Sequence, residues 1–454
     1  MTLTSESYRD EFILPDNKSV CAIKVEPEKQ GESHLVHASS RLQPTPDSTC
    51  VYLCGNSLGA CPKKSQVLIQ EELNVWSKLA VEGHFHHPHG RPWTEVLDGV
   101  HPLMAEIVGA KPEEVCVMGT LTANLHLMML QFYKPTSERY KILCEARAFP
   151  SDQYAFASQV QNHGFDPKDA IIEIGPREGE FWVREEDILD TIEKEGSKIA
   201  LVLFGGLSYY TGQWFPMKSV TKTAKAKGCI CGWDLAHAVG NVPLSLHEWD
   251  VDFAVWCTYK YLNSGPGGIA GFFIHEKWNG METPKYAGWW GQSVDTRFQM
   301  GPKFTPIPGA QGFQQSNPAV LTVASLLGSL QTFKRAGMMG PLRKRSKMLT
   351  GKLESLFHQS KFFVPPEKAS MRSDPGFTII TPPDPESRGA QLSLLFLPQG
   401  TGVMDKVFAG LKEWGVIGDD RKPDVIRLAP TPLYNTEEDV EAAAKYLDVV
   451  LASL

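Results

Sequence analysis

Short runs that are apolar at successive positions recur through the middle of the chain, at residues 141–145, 170–174, 199–204, 229–233, 253–257 and 269–274. A strand with one wet face alternates apolar and polar positions, whereas a strand covered on both faces does not. These runs therefore predict a largely parallel sheet buried under helices. Amphipathic helical patterns such as 185–195 lie between them, as α/β winding requires. Residues 318–336 predict a long helix with proline in its first turn and Ser316 and Asn317 as capping candidates. A basic amphipathic helix over 340–357 follows. Beyond it the pattern changes to strands at 377–381, 391–396 and 425–428, the mark of a smaller α+β unit. Thr436-Glu-Glu-Asp439 is a capping-box signature opening a final helix over 440–451. No repeat or low-complexity linker interrupts the chain. The expected division is an N-terminal arm (1–60) belonging partly to the small domain, a large domain (61–330) and a small C-terminal domain (331–454).

Composition narrows the class without naming a function. The 454 residues are 42% hydrophobic and 21% charged, as in ordinary soluble globular proteins. A net charge of -7 gives no reason to expect a nucleic-acid partner. No stretch is long and apolar enough to suggest a membrane span, and residues 1–12 are too polar and acidic for a signal or transit peptide. The nine cysteines are odd in number and several fall in the apolar runs, which suits reduced thiols in the cytoplasm. Cys229 and Cys231 alternate along one predicted strand with no second pair at zinc spacing, so no metal site is expected.

Candidate chemistry centres on Thr258-Tyr259-Lys260, between an apolar run and Gly265-Pro266-Gly267-Gly268. Upstream, Asp234-Leu-Ala-His237 closes another run. A lysine and a carboxylate leaving neighbouring strands are what pyridoxal phosphate chemistry requires: the amine forms a Schiff base, and the carboxylate keeps the pyridine nitrogen protonated. Taken alone, Asp234 reads more readily as a helix cap or turn residue and Lys260 as a surface residue; at the carboxyl ends of adjacent parallel strands they share a ligand site. Gly119-Thr-Leu-Thr-Ala-Asn124 precedes a helical run and suits an anion at a helix N-terminus, although Thr122 alone reads as a cap. Phe149-Pro150-Ser151-Asp152 offers an aromatic to stack on a ring, or simply a proline turn. The histidines of 84–89 read as a mobile polar loop, one of whose histidines faces a substrate. Arg427, within an apolar strand, needs a partner, either an internal carboxylate or a substrate carboxylate.

In these residues the chain resembles the kynureninase family, within fold type I of the pyridoxal phosphate enzymes and its class V aminotransferase branch. The similarity runs from about residue 51 to the C-terminus. It rests on Leu53-Cys-Gly-Asn-Ser-Leu-Gly59, Arg91-Pro-Trp93, Leu121-Thr-Ala-Asn-Leu-His126 and Phe149-Pro-Ser-Asp152. It continues through Tyr210-Thr-Gly-Gln213, Asp234 with His237, Tyr259-Lys-Tyr-Leu-Asn263, Ala287-Gly-Trp-Trp-Gly291, Ser316-Asn-Pro318 and Arg427 with Pro430. The resemblance implies a large domain with a mainly parallel sheet of the seven-stranded type and a smaller α+β C-terminal domain. It implies hydrolysis of L-kynurenine or 3-hydroxy-L-kynurenine to an anthranilate and L-alanine, in tryptophan catabolism and NAD biosynthesis. Lys260 would bond the cofactor, Asp234 would pair with its pyridine nitrogen and Phe149 would stack on it. Leu121, Thr122 and Tyr259 would meet the phosphate, and Pro150, Ser151, Asp152 and His237 would complete the cofactor site. Tyr259 would also move protons. Trp289 and Asn317 would reach the cofactor across a homodimer interface, with the active sites shared. Ser57, His84, Asn317 and Arg427 would meet the amino-acid substrate. Two departures stand out: Gly205 occupies a position where the family commonly has a cofactor-contacting serine, and the loop between Gly83 and Arg91 is longer than is common.

Overall fold

The computed structural model describes residues 7–20, 42–280 and 285–454. Cys21, and the first half of the N-terminal stretch read above as lacking a leader, lie outside the described residues. The chain forms two compact units. One comprises the described residues of Met1–Cys61 with Tyr210–Gly212 and Pro341–Leu454; the other, central unit comprises Pro62–Tyr209 and Gln213–Gly340.

The central unit is built on seven strands: β1 (Val115–Val117), β2 (Lys141–Glu145), β3 (Ile171–Ile174), β4 (Ile199–Gly205), β5 (Ile230–Asp234), β6 (Phe253–Trp256) and β7 (Gly271–Ile274). Their order across the sheet is β1-β7-β6-β5-β4-β2-β3. The run from β6 to β3 is parallel, and β7 pairs antiparallel with both β6 and β1. All four residues of β6, for example, are buried, which is why the strand shows no alternation. Leu125, Met128 and Phe132 of the helix Leu121–Phe132 pack on this sheet, with Phe132 stacked on Phe253 at 5.1 Å between ring centroids. The core is α/β in class, as the apolar runs predicted. β1 carried no such signal, because three residues are too few for periodicity to register.

The helix expected at 318–336 runs Val320–Arg335. Neither Ser316 nor Asn317 caps it: Ala319 occupies the cap position, and no side chain accepts from the first turn. The ring of Pro318 disfavours helical backbone at Asn317, so the helix begins beyond both.

The other unit holds a four-stranded antiparallel sheet in the order Gly376–Ile379, Leu392–Leu397, Val425–Leu428, Asp419–Arg421. Its core joins Phe377, Leu394, Phe396 and Ile426 to Leu353 and Phe357 of the helix Met339–Gln359 and to Tyr446 and Leu447 of the helix Glu437–Ala452. The capping box at Thr436 and Asp439 forms as its sequence suggests, each side chain accepting the other's backbone N–H. Among the described residues, no helix is long and apolar enough to cross a membrane.

Candidate active site

Three adjacent strands of the central sheet end in Glu145 (β2), Gly205 (β4) and Asp234 (β5), with Gly205 paired in register to Asp234. Their carboxyl ends form one side of a cleft whose lining includes Leu121, Thr122, Phe149, Asp152, Asp234, His237, Tyr259 and Lys260. The Asp234 carboxylate is buried and accepts the Ala236 N–H at 2.7 Å, which fixes its rotamer. Lys260 Nζ lies 2.9 Å from His237 Nε2. A lysine ammonium has no acceptor, so it donates to that nitrogen. The amine also stands 5.8 Å from the Phe149 ring centroid.

The turn that carries Lys260 is tightly stitched. Thr258 Oγ1 meets Ser264 Oγ at 2.5 Å and donates to the Ile269 carbonyl, while Asn263 N donates to the Lys260 carbonyl at 2.9 Å. Asn263 takes a left-handed conformation (φ 53°), which Asn tolerates better than most residues, and its Nδ2 holds the Tyr261 carbonyl at 2.8 Å. Opposite, Leu121 and Thr122 line the cleft and open the helix Leu121–Phe132, where the first N–H groups have no intrahelical acceptor. Pro150 is the first residue of the helix Pro150–Asn162, where its missing N–H costs nothing; it positions Phe149, Ser151 and Asp152 but does not itself line the cleft.

Two further members of this cleft are not among the expected site residues. Tyr209 meets Phe149 edge-on at 5.2 Å between centroids. Glu145 accepts the Gly205 N–H at 3.0 and 3.2 Å. A side chain at position 205 would put its Cβ 3.0 Å from Glu145 Oε1, so a serine there would press the glutamate carboxylate aside by a few tenths of an ångström. Strand-end position was the clue that could have found Glu145, as it found Asp234.

Burial, then the charges of Asp234 and Glu145, push Asp152 well above the usual carboxylate range. Burial also raises Asp234, opposed by the Ala236 N–H, by Lys260 and by a hydrogen bond from Asp152. Burial pushes Glu145 up to about 7, against backbone hydrogen bonds that lower it. Three carboxyl groups and a single lysine thus line one cleft, with Asp234 feeling the lysine's charge. Such a donor set suits a ligand with one cationic ring nitrogen and a remote anion at the helix terminus. Pyridoxal phosphate fits both demands, with Asp234 at the nitrogen and Leu121 and Thr122 at the phosphate.

The remaining expected residues lie elsewhere. The loop of 84–89 is not a free polar loop. His87 is buried and its Nε2 meets Glu72 at 2.9 Å, while Trp93 Nε1 (2.8 Å) and Arg91 Nε (3.0 Å) donate to the same carboxylate. Glu72, on the helix Lys63–Leu79, pins this loop, and His84 packs edge-on against Trp93 at 5.3 Å. Burial raises the Glu72 carboxyl, but these three hydrogen bonds outweigh it and hold the group below its ordinary value. Glu72→Ala strands the buried Trp93 and His87 groups, while Arg91 keeps its pair with Glu71, and should cost about 2 kcal/mol or more, read as a lower urea midpoint. Glu72→Gln, which keeps an acceptor, should lose less.

Trp289 and Asn317 are exposed on the central unit and do not line the cleft; Trp289 Nε1 donates to the Arg297 carbonyl at 2.9 Å. Ser57 and Arg427 belong to the other unit. Arg427 is fully buried and pairs with Asp419, directly opposite on the neighbouring strand, through Nε (3.1 Å) and Nη2 (2.7 Å). The internal partner is therefore present. Away from the cleft, Glu114, His247 and His275 converge, but their atoms already serve the backbone. Glu114 accepts the Lys111 and Glu276 N–H groups as well as His247 Nδ1, and His275 Nδ1 accepts the Lys277 N–H.

Comparison with known proteins converges on one family. Residues 56–364 match the class-V aminotransferase family, and residues 342–447 match the kynureninase C-terminal domain. A kynureninase of Yarrowia lipolytica is 50% identical over 408 residues, covering 87% of this chain and 93% of the relative. A kynureninase of Nematostella vectensis is 51% identical over 411 residues, covering 90% and 86%. Among solved structures, a cysteine desulfurase of Thermococcus onnurineus superposes with a TM-score of 0.70 at 16% identity, covering 89% of this chain and 95% of that one. The cystine C–S lyase C-DES gives 0.70 at 18% identity, covering 88% and 97%. At such identities these two speak for the fold alone. The matched residues, the strand-end acids and the lysine turn agree: this chain belongs to the kynureninase family of pyridoxal phosphate enzymes.

Proposed function

We propose that the chain hydrolyses L-kynurenine, its 3-hydroxy derivative or both, releasing an anthranilate and L-alanine, a step of tryptophan catabolism and NAD biosynthesis. The observation that carries this reading is the meeting of Lys260, Asp234 and His237 in one cleft of a chain about half identical to curated kynureninases. When bound, pyridoxal phosphate supplies a ring that accepts the electron pair released at the substrate's α-carbon. Lys260 Nζ takes the Cα proton and returns it, with His237 Nε2 orienting the amine. Asp234, anchored by the Ala236 N–H, holds positive charge opposite itself. The net reaction adds water across the substrate's Cβ–Cγ bond: hydroxyl goes to the aryl carbonyl carbon and a proton to Cβ.

The Tyr259 phenol is raised by burial first and by Cys257 second, so it remains a proton donor at neutral pH. Tyr259→Phe should lower kcat by ~10²-fold or more while changing cofactor affinity less than about tenfold; equal losses in both would make the phenol merely a phosphate contact. Ser57, His84, Asn317 and Arg427 are assigned to the substrate by family resemblance, and Pro150, Ser151 and Asp152 to the cofactor site. The same resemblance makes the enzyme a cytoplasmic homodimer in which Trp289 and Asn317 cross to the neighbouring site. Support for that comes from the exposed aromatic row Phe85, Phe298 and Trp289, successive rings lying 5.7 and 5.5 Å apart. The deciding experiment incubates the holoenzyme with each substrate and follows the aromatic product's absorbance together with alanine. Net amino transfer to an added 2-oxo acid, without carbon–carbon cleavage, would overturn the reading.

A further inference from the structure

Glu145 reaches from the end of β2 to the amide of Gly205 at the end of β4, and the next strand, β5, ends in Asp234. Its carboxylate therefore stands in the cofactor cleft without touching the lysine turn. The ionisable groups around it there are Asp152 from the helix Pro150–Asn162, Asp234 and His237 from the end of β5, and Tyr259 and Lys260 from the turn after β6; Tyr209 follows β4. One amine and three acids line the same cleft. Gly205 makes the arrangement possible, since a Cβ there would crowd Glu145 Oε1. The two hydrogen bonds from the Gly205 N–H need only an oxygen, so they do not require Glu145 to be ionised.

We propose that Glu145 is the exchangeable proton store of the cleft: it holds a proton while no cationic ring is present and releases it to solvent when a protonated ring nitrogen settles against Asp234. The O–H bond of the Glu145 carboxyl breaks, the proton passes to buffer, and the resulting carboxylate balances the incoming positive charge. Burial favours the neutral acid in the empty cleft, and an added cation favours the anion. The sign follows: below about pH 7 the apoprotein must surrender a proton to bind, so cofactor binding weakens as the pH falls. This rests on the cofactor being pyridoxal phosphate.

The test is titration calorimetry of apoprotein with pyridoxal 5′-phosphate in two buffers of different protonation enthalpy, between pH 6 and 8.5, for the wild type and Glu145→Gln. Glutamine keeps an oxygen for the Gly205 N–H but cannot ionise. The wild type should release about half a proton more than the variant at pH 7 and nearly none more at pH 8.5. Relative to the variant, its affinity should fall about tenfold by pH 6. Phosphate ionisation is common to both proteins and cancels in the difference. Equal proton release at every pH overturns the proposal. Should Glu145→Gln fail to fold, infrared difference spectra of wild type labelled with 13C at glutamate carboxyl groups decide it: addition of cofactor at pH 6.5 must remove one protonated glutamate band, and persistence of that band overturns it. Absence of any visible absorbance on adding cofactor would instead refute the cofactor reading, so the two failures are distinguishable.

Discussion

Lys260→Ala will lower turnover by at least ~10⁴-fold and abolish the absorbance that bound cofactor owes to its covalent lysine. The size of the effect follows from position. Lys260 Nζ is an amine in the same cleft as Asp234, on a turn whose backbone is held by Thr258, Asn263 and Ser264. No neighbouring group duplicates it: His237 is within hydrogen-bond reach of the amine, but an imidazole makes no comparable imine with an aldehyde. Absorbance spectra and single-turnover rates check the prediction. Retention of the covalent absorbance, with activity within tenfold of wild type, would mean that another amine forms the bond.

Asp234→Ala will lower kcat by ~10³-fold or more, yet leave the apoprotein at least as thermally stable as wild type. The two halves have different causes. Activity falls because, in the proposed site, the ring nitrogen loses the acid held at the end of β5. Stability does not fall, because Asp234 is one of three crowded acids whose burial is itself unfavourable, and its removal relieves Asp152 and Glu145. A melting-temperature series at pH 6 and pH 8 separates the two. Wild type should gain stability towards pH 6, where Glu145 takes its proton, and lose it towards pH 8. The opposite slope would show that the acids are stabilised as anions.

What could be read from the chain alone, and what could not, divides along physical lines. β4 and β6 announced themselves because burial on both faces writes an unbroken apolar run, and Asp234 and Lys260 became conspicuous by interrupting such runs at their ends. Glu145 occupies the same kind of position on β2 but passed unnoticed, since a single glutamate before an alanine and an arginine looks like an ordinary polar exit from a strand. Glu72 was hidden more thoroughly. It lies in a helix rich in polar residues, and its burial depends on His87, Arg91 and Trp93 folding back over it. The histidine-rich segment accordingly reads as a free loop in sequence, because residue types at adjacent positions do not reveal a carboxylate supplied from fifteen residues away. The cap expected at Ser316 and Asn317 failed for a local reason, the proline that follows them.

The reversed direction of β7 has a consequence for how the reactive amine moves. In a sheet of crossovers, the segment after a strand departs to build a helix and is free to vary in length. Here the segment after β6, residues 257–270, must come back to pair alongside it, so the lysine rides on a strap fastened at both ends to neighbouring strands. Ser329 adds a third fastening by donating to the Leu262 carbonyl. In the proposed reaction the reach of Lys260 Nζ therefore comes from the rotors of its own side chain, above a backbone held at both ends and at Leu262, which makes this strap a poor place for insertions.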